Sequence, residues 1–115
     1  MTTTLTTVRS RSETAPSVDV VRTATRRLLV TISALDVDDH RWRAAGQLVS
    51  SAALSLREAV GMPVAGCLGD PPPIVRERDL SMAAHRLLAR DVRIENEQAA
   101  QQFIQLALHV TVALS

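Results

Sequence analysis

The densest group of residues that could do chemistry is the segment DVDDH, which holds Asp36, Asp38, Asp39 and His40. Carboxylate oxygens this close together are the ligands that divalent cations such as Ca²⁺ prefer. The segment nevertheless lacks the glycine and the distal glutamate of a calcium-binding loop. It also precedes an apolar helical pattern, where carboxylates cap the first turn and offset the helix dipole. We therefore interpret the acidic group as helix capping and predict neither a metal site nor a cofactor.

The histidines and the cysteine do not form a catalytic or metal-binding pattern. His40, His85 and His109 belong to three different helical segments, and no two of them have the spacing that places both histidines of one helix on a zinc ion. Cys67 could act as a nucleophile only beside an activating base, and the residues around it supply none. These patterns favour a protein that is not an enzyme and leave the enzyme alternative open.

All thirteen basic residues are arginine, a side chain suited to carboxylate and phosphate recognition. Arg41 and Arg43 flank Trp42, which could form a cation–π cluster or an anion site. Together with His85, these two arginines are the ligand-binding candidates of a weaker hypothesis. The net charge of +1 gives no electrostatic reason to expect a polyanionic partner. Binding of nucleic acid by the N-terminal residues is therefore the weakest alternative.

The composition indicates one domain with an aliphatic core. Only 2 % of the 115 residues are aromatic while 46 % are hydrophobic, so the core must consist of leucine, valine, isoleucine, alanine and methionine. A single cysteine cannot form an intrachain disulfide. The first residues lack the apolar stretch of a secretory signal, and the longest apolar run, 103–114, is shorter than the roughly 20 residues that cross a bilayer. We therefore expect a cytoplasmic protein with no membrane association.

The elements that must position these residues are helical. Residues 1–16 are rich in Thr, Ser and Arg and are predicted to be a disordered arm, followed by a single domain over 17–115. Apolar residues recur at three- and four-residue steps, and no segment alternates as a strand does. The pattern predicts four helices, at about 17–35, 40–60, 74–88 and 95–114. No Gly or Pro follows residue 74, so the last two could form one continuous helix. A slip in the apolar phase favours two helices with a short break, and Asn96 is placed to cap the new start.

The segment GMPVAGCLGDPPP, residues 61–73, lies between the second and third predicted helices. Glycine ends a helix readily and proline shortly afterwards prevents its continuation. We interpret the segment as a connector between two helical pairs. The predicted fold is therefore all-α, a four-helix bundle with an N-terminal arm and a Gly/Pro-rich connector.

The last helix is unusual because residues 98–115 contain no Asp, Glu or Arg. A helix this neutral is not typical of a solvated surface, and it belongs either to the core of one chain or to a subunit interface. We predict self-association, with a two-fold dimer as the default. The predicted interface residues are Trp42, Phe103, Leu106, Val110 and Ala113.

The sequence therefore favours a small helical interaction or regulatory protein that forms a homodimer and could also bind another protein. The alternative is a small-molecule-binding protein or an enzyme, with a site in the bundle near the 61–73 loop.

Overall fold

The computed structural model of the chain describes residues 18–36, 40–61 and 76–115. Helices make up 79 % of these residues and none of them forms a strand, which confirms the all-α prediction. The predicted arm, nearly all of the Gly/Pro segment, and Asp38 and Asp39 lie outside the described residues. Within the described ranges the helices are Val18–Ser33 (α1), His40–Ala44 (α2), Gly46–Ala59 (α3), Glu77–Leu87 (α4) and Glu97–Leu114 (α5).

The predicted second helix is divided in two, so the expectation of one helix over 40–60 is corrected. Ala45 interrupts it with φ −92° and ψ 1°, a ψ well away from the roughly −42° of an α-helix. The hydrogen bonding nevertheless continues through the break, because the Ala45 amide donates to the carbonyl of Arg41 and the Ala45 carbonyl accepts from Val49, both at 2.9 Å. Gly46 follows directly, and glycine weakens a helix where it occurs.

The core lies between all four longer helices and contains one aromatic side chain. Helices α3 and α5 contribute most of the buried alanines, and larger side chains from all four longer helices complete the packing. The alanines Ala52, Ala53, Ala59, Ala99, Ala100 and Ala107 are all buried. The largest fully buried side chains are Phe103, Leu28, Ile32, Leu56, Leu80 and Leu87. An aliphatic core of this kind is what the scarcity of aromatic residues requires.

Hydrogen bonds between helix ends show that α1 and α4 run antiparallel. Arg22, in the first half of α1, donates from Nε to the carbonyl of Leu87 at 3.2 Å. Its Nη2 donates to the carbonyl of Ala89, just beyond α4. The beginning of α1 is therefore held against the end of α4.

A second set of contacts relates α3, α5 and α1. The carbonyl of Ala59, the last residue of α3, accepts from the amides of Glu95 at 2.7 Å and Asn96 at 3.2 Å, just before α5. α3 and α5 are therefore antiparallel. Arg41, in the helix that follows α1, donates from Nη1 to the carbonyl of Ser115 at 3.3 Å. The ends of α1 and α5 thus lie at one end of the molecule, and these two helices run in the same direction.

It follows that the consecutive helices α3 and α4 also run in the same direction. α3 has 14 residues, which corresponds to about 21 Å of helix. Gly61 and Arg76 therefore lie at opposite ends of the helical assembly. An antiparallel neighbouring pair would need only a short turn.

The sequence signals for the end and the start of a helix agree with the structure at two positions. Residues 88–96 separate α4 from α5, as the slip in the apolar pattern predicts. The Oδ1 atom of Asn96 accepts from the amide of Ala99 at 3.1 Å, so Asn96 is the N-cap of α5. Gly61 follows the C-cap of α3 with φ +65°, the left-handed conformation that glycine adopts without a steric penalty.

Gly61→Ala is expected to lower the free energy of unfolding by about 1–2 kcal/mol, the cost of a left-handed φ for a residue with a Cβ. An added Cβ would also overlap the Glu95 carboxylate. Gly46→Ala is the matched control, because a Cβ there meets nothing within 4 Å and alanine should stabilise α3 by about 0.5–1 kcal/mol. Urea denaturation measures both variants. Equal effects would contradict the assignment of the Gly61 role to its backbone conformation.

Candidate functional site

The first candidate surface is a groove between α1 and α5, which we call the α1–α5 face. The groove has a volume of about 310 Å³ and continues past Thr111 towards Val30. Val20 and Leu108 are exposed there, whereas Ala24 and Ile104 are half-buried against the core. The α1 side of the groove consists of Val20, Thr23, Ala24, Arg27 and Val30, and its α5 side of Ile104, Ala107, Leu108 and Thr111. Val112 is exposed next to Thr111 and extends the face beyond the groove.

The α1–α5 face exposes large aliphatic side chains. Val20 is 48 %, Val30 70 %, Leu108 51 % and Val112 76 % accessible to solvent. Ile104, Leu108 and Val112 follow one another at four-residue steps and therefore form one row along α5. Because single exposed aliphatic residues are ordinary whereas a row of them is not, this face has the character of a contact surface.

The charges of the face are confined to α1. α5 has Glu97 in its first turn and no Asp, Glu or Arg from Gln98 onward. Arg26 and Arg27 of α1 line the groove, and Asp19 is exposed one helical turn before the groove residue Thr23. The face is therefore an apolar, uncharged row on one helix beside a helix with charges of both signs.

The residues predicted to form an interface occupy three different environments. Phe103 and Val110 have no exposed surface and belong to the core of the single chain. Trp42 and Leu106 are half-buried against that core, and Ala113 is exposed. The apolar stripe of α5 that contains Phe103 therefore packs inside a single molecule. The apolar face of α5 that is exposed to solvent is a different face. Sequence reasoning missed Ile104, Leu108 and Val112, although their four-residue spacing in an uncharged helix was a signal for them.

The second candidate surface is a cavity where α1 ends and α4 begins, which we call the Trp42 cavity. Its volume is about 670 Å³. Leu35, Trp42 and Met82 give it apolar walls, and the polar side chains around them are those of Asp36, Arg76, Glu77, Arg78, Ser81 and His85. Aliphatic and aromatic surface with a few polar groups is the usual composition of a small-molecule site.

His85 is oriented by its own helix. Its Nδ1 lies 2.7 Å from the carbonyl oxygen of Ser81, and a carbonyl can only accept, so Nδ1 carries the proton. This hydrogen bond fixes the orientation of the imidazole ring, and Nε2 is the ring nitrogen that the bond does not use. An orienting bond of this kind is what a ligand-binding histidine requires, but it is also common for a histidine exposed on a helix.

The structure brings together only part of the predicted ligand-binding set. Of that set, His85 lines this cavity, together with Trp42, which the sequence predicts to be an interface residue. Among the described residues that line it, the arginines are Arg76 and Arg78 rather than Arg41 and Arg43. Arg41 instead donates to the C-terminal end of α5.

Over residues 18–36, 40–61 and 76–115, no three His, Cys, Asp or Glu side chains are grouped as metal ligands. No helix in that part of the chain has both the length and the apolar character needed to cross a bilayer. Comparison with protein-family models, with curated proteins and with solved structures found no match to this chain.

Proposed function

We propose that this chain is a small helical interaction protein that works in the cytoplasm as a homodimer and uses the α1–α5 face for self-association. The observation that carries the proposal is the aliphatic row Ile104, Leu108 and Val112 on a helix with no Asp, Glu or Arg after Glu97; Leu108 and Val112 are exposed and Ile104 is half-buried. Burying such a row removes apolar surface from water without desolvating a charge on α5. The single cysteine, which cannot form an intrachain disulfide, is consistent with a reducing compartment.

The dimensions of the face suit a second copy of the chain. α1 has 16 residues and α5 has 18, so both are about 25 Å long at a rise of about 1.5 Å per residue. Two helices packed about 9 Å apart give a face about 20 Å wide, or about 500 Å² in projection. Side chains project from this plane, so the accessible area of the face is larger than its projected area. The accessible area is therefore of the same order as the roughly 800 Å² that each partner buries in a stable complex.

Leu108→Glu is the variant that tests this function. A glutamate at the centre of an apolar interface would be desolvated without a partner, which costs several kcal/mol, so we expect dimer dissociation to become at least about 100-fold more favourable. Leu54→Glu is the matched control, because Leu54 is 47 % exposed on α3, outside the face. Light scattering across a dilution series measures the mass of the wild type and of both variants. Circular dichroism checks that each variant remains helical.

A wild-type protein that remains a monomer at about 100 μM, where a Kd of about 1 μM would leave little free chain, would overturn the proposal. A similar loss of mass in Leu54→Glu and Leu108→Glu would assign association to another surface. Loss of the dimer in Leu108→Glu alone supports the α1–α5 face.

The second candidate function is binding of a small apolar ligand that carries an acidic group, in the Trp42 cavity. Its volume of about 670 Å³ is within the usual range for ligand sites, about 300–1,000 Å³. Arg76 and Arg78 beside the apolar walls suit an acidic group. Trp42 is the single tryptophan of the chain, so its fluorescence reports on this cavity without a label.

Titration with 8-anilinonaphthalene-1-sulfonate, an anionic aromatic probe, tests this second function. Saturable quenching of Trp42 is expected, and the double variant Arg76→Gln, Arg78→Gln should weaken it about tenfold. Tryptophan fluorescence that does not respond to the probe, or quenching that the double variant leaves unchanged, would contradict ligand binding at this site.

A further inference from the structure

We infer that the two copies of the dimer meet in an antiparallel arrangement, with the two-fold axis beside Leu108, so that α1 faces α1 and α5 faces α5 of the second copy. The inference rests on the proposed function, because it describes how the same face is used. The partner is a second copy of this chain, held at one fixed position along the helices.

The apolar row of α5 is symmetric about its centre. Ile104 and Val112 each lie four residues from Leu108, one helical turn on either side. In a two-fold interface each contact occurs twice, with the roles of the two residues exchanged. An antiparallel pair of α5 helices centred on Leu108 therefore packs Leu108 against Leu108 and Ile104 against Val112 of the second copy. Each aliphatic side chain of the row then has an aliphatic partner.

The charges of α1 are complementary in the same register. α1 and α5 run in the same direction, and Thr23 lines the same groove as Leu108. Asp19 lies one turn before Thr23, and Arg26 and Arg27 lie about one turn after it. A two-fold rotation about an axis perpendicular to the helices, at the level of Thr23 and Leu108, places Asp19 opposite Arg26 and Arg27 of the second copy. Opposite charges meet twice in the dimer, and this sets the register.

The alternative two-fold arrangement does not pair these charges. An axis parallel to the helices would place α1 over α5 of the second copy. From Gln98 onward α5 has no Asp or Glu, so Arg26 and Arg27 would face an uncharged helix. The distribution of charge therefore favours the antiparallel arrangement over the parallel one.

Cysteine cross-linking distinguishes the two arrangements. In a Cys67→Ser background, Leu108→Cys should form a disulfide with itself on mild oxidation, because residues at a two-fold axis can reach the roughly 5.5 Å Cα separation of a disulfide. Mixed Ile104→Cys and Val112→Cys proteins should cross-link at least about fivefold more than either alone. Leu54→Cys on α3 is the control and should remain uncross-linked. Efficient cross-linking between Thr23→Cys and Leu108→Cys proteins would overturn the antiparallel register.

Charge reversal provides a test that leaves the apolar row unaltered. Asp19→Arg should raise the dimer Kd about tenfold, as should the double variant Arg26→Asp, Arg27→Asp, and sodium chloride should reduce both effects. Combining all three substitutions should return the Kd to within about threefold of the wild type, because each pair is restored with its sign exchanged. Additive weakening in the triple variant would overturn the proposed pairing.

The outcomes separate this inference from the proposed function. Light scattering on the reduced proteins shows whether a dimer exists at all. A dimer that lacks both the Leu108 and the Ile104–Val112 cross-links overturns the antiparallel register and leaves self-association in place. A monomeric wild type overturns both proposals.

Discussion

Phe103→Ala is expected to lower the free energy of unfolding by about 3–5 kcal/mol, the largest effect of any single truncation that we predict. Phe103 is fully buried and is the largest side chain in the core. Alanine would leave a cavity lined by side chains from several helices, which the surrounding packing fills only in part. Urea denaturation followed by circular dichroism measures the loss.

Phe103→Leu keeps the experiment informative if the alanine variant is too unstable to purify, since domains of this size are stabilised by only about 5–15 kcal/mol. Leucine retains most of the apolar volume and should cost about 1.5 kcal/mol. A loss below about 1 kcal/mol for Phe103→Ala, combined with a lower oligomeric mass, would contradict the core role. Phe103 would then be the interface residue that the sequence predicts.

Arg22→Met is expected to lower the free energy of unfolding by about 2 kcal/mol, in the range measured for hydrogen bonds from charged groups. The guanidinium of Arg22 donates to the carbonyls of Leu87 and Ala89, where the end of α4 leaves carbonyl groups without helical partners. Its positive charge also lies at the negative end of the α4 dipole. Methionine retains an apolar stem of similar length, so the variant removes the donors and the charge and keeps most of the packing.

Arg43→Met, on the exposed surface of α2, is the matched control and should change stability by less than about 0.5 kcal/mol. Amide hydrogen exchange gives a local measurement, because Arg22→Met should reduce protection most at the end of α4. Equal losses of stability in the two variants, or unchanged protection at the end of α4, would show that Arg22 does not hold α1 against α4.

The signals that sequence reasoning used correctly are local ones. The break before α5 depends on Asn96, whose side chain reaches an amide three residues away, and the end of α3 depends on Gly61 and its own φ angle. Both are decided within one or two turns of helix, so residue type and spacing are sufficient to predict them. The division at Ala45 was not predicted, because alanine is the best helix former and sequence reasoning did not use the neighbouring Gly46, which does weaken a helix, as a break signal.

The candidate sites were harder to predict because they depend on which helices become neighbours. Trp42 and His85 were both singled out from the sequence, yet nothing in it placed them in one cavity with Arg76 and Arg78. The sequence around Arg22 does not identify its partners, and only the position of α4 gives this side chain two carbonyls to bind.

The sequence by itself determined that this protein is helical, with an aliphatic core, breaks at defined residues and an uncharged last helix. Those properties follow from the amino-acid composition and from the spacing of apolar residues, which is set within a few residues of the chain. Only the tertiary structure decided that α3 and α4 run in the same direction, and that Phe103 packs inside the chain while Leu108 remains exposed. Helix α5 has more apolar surface than one core can cover, and the face that stays free depends on where the other helices pack against it.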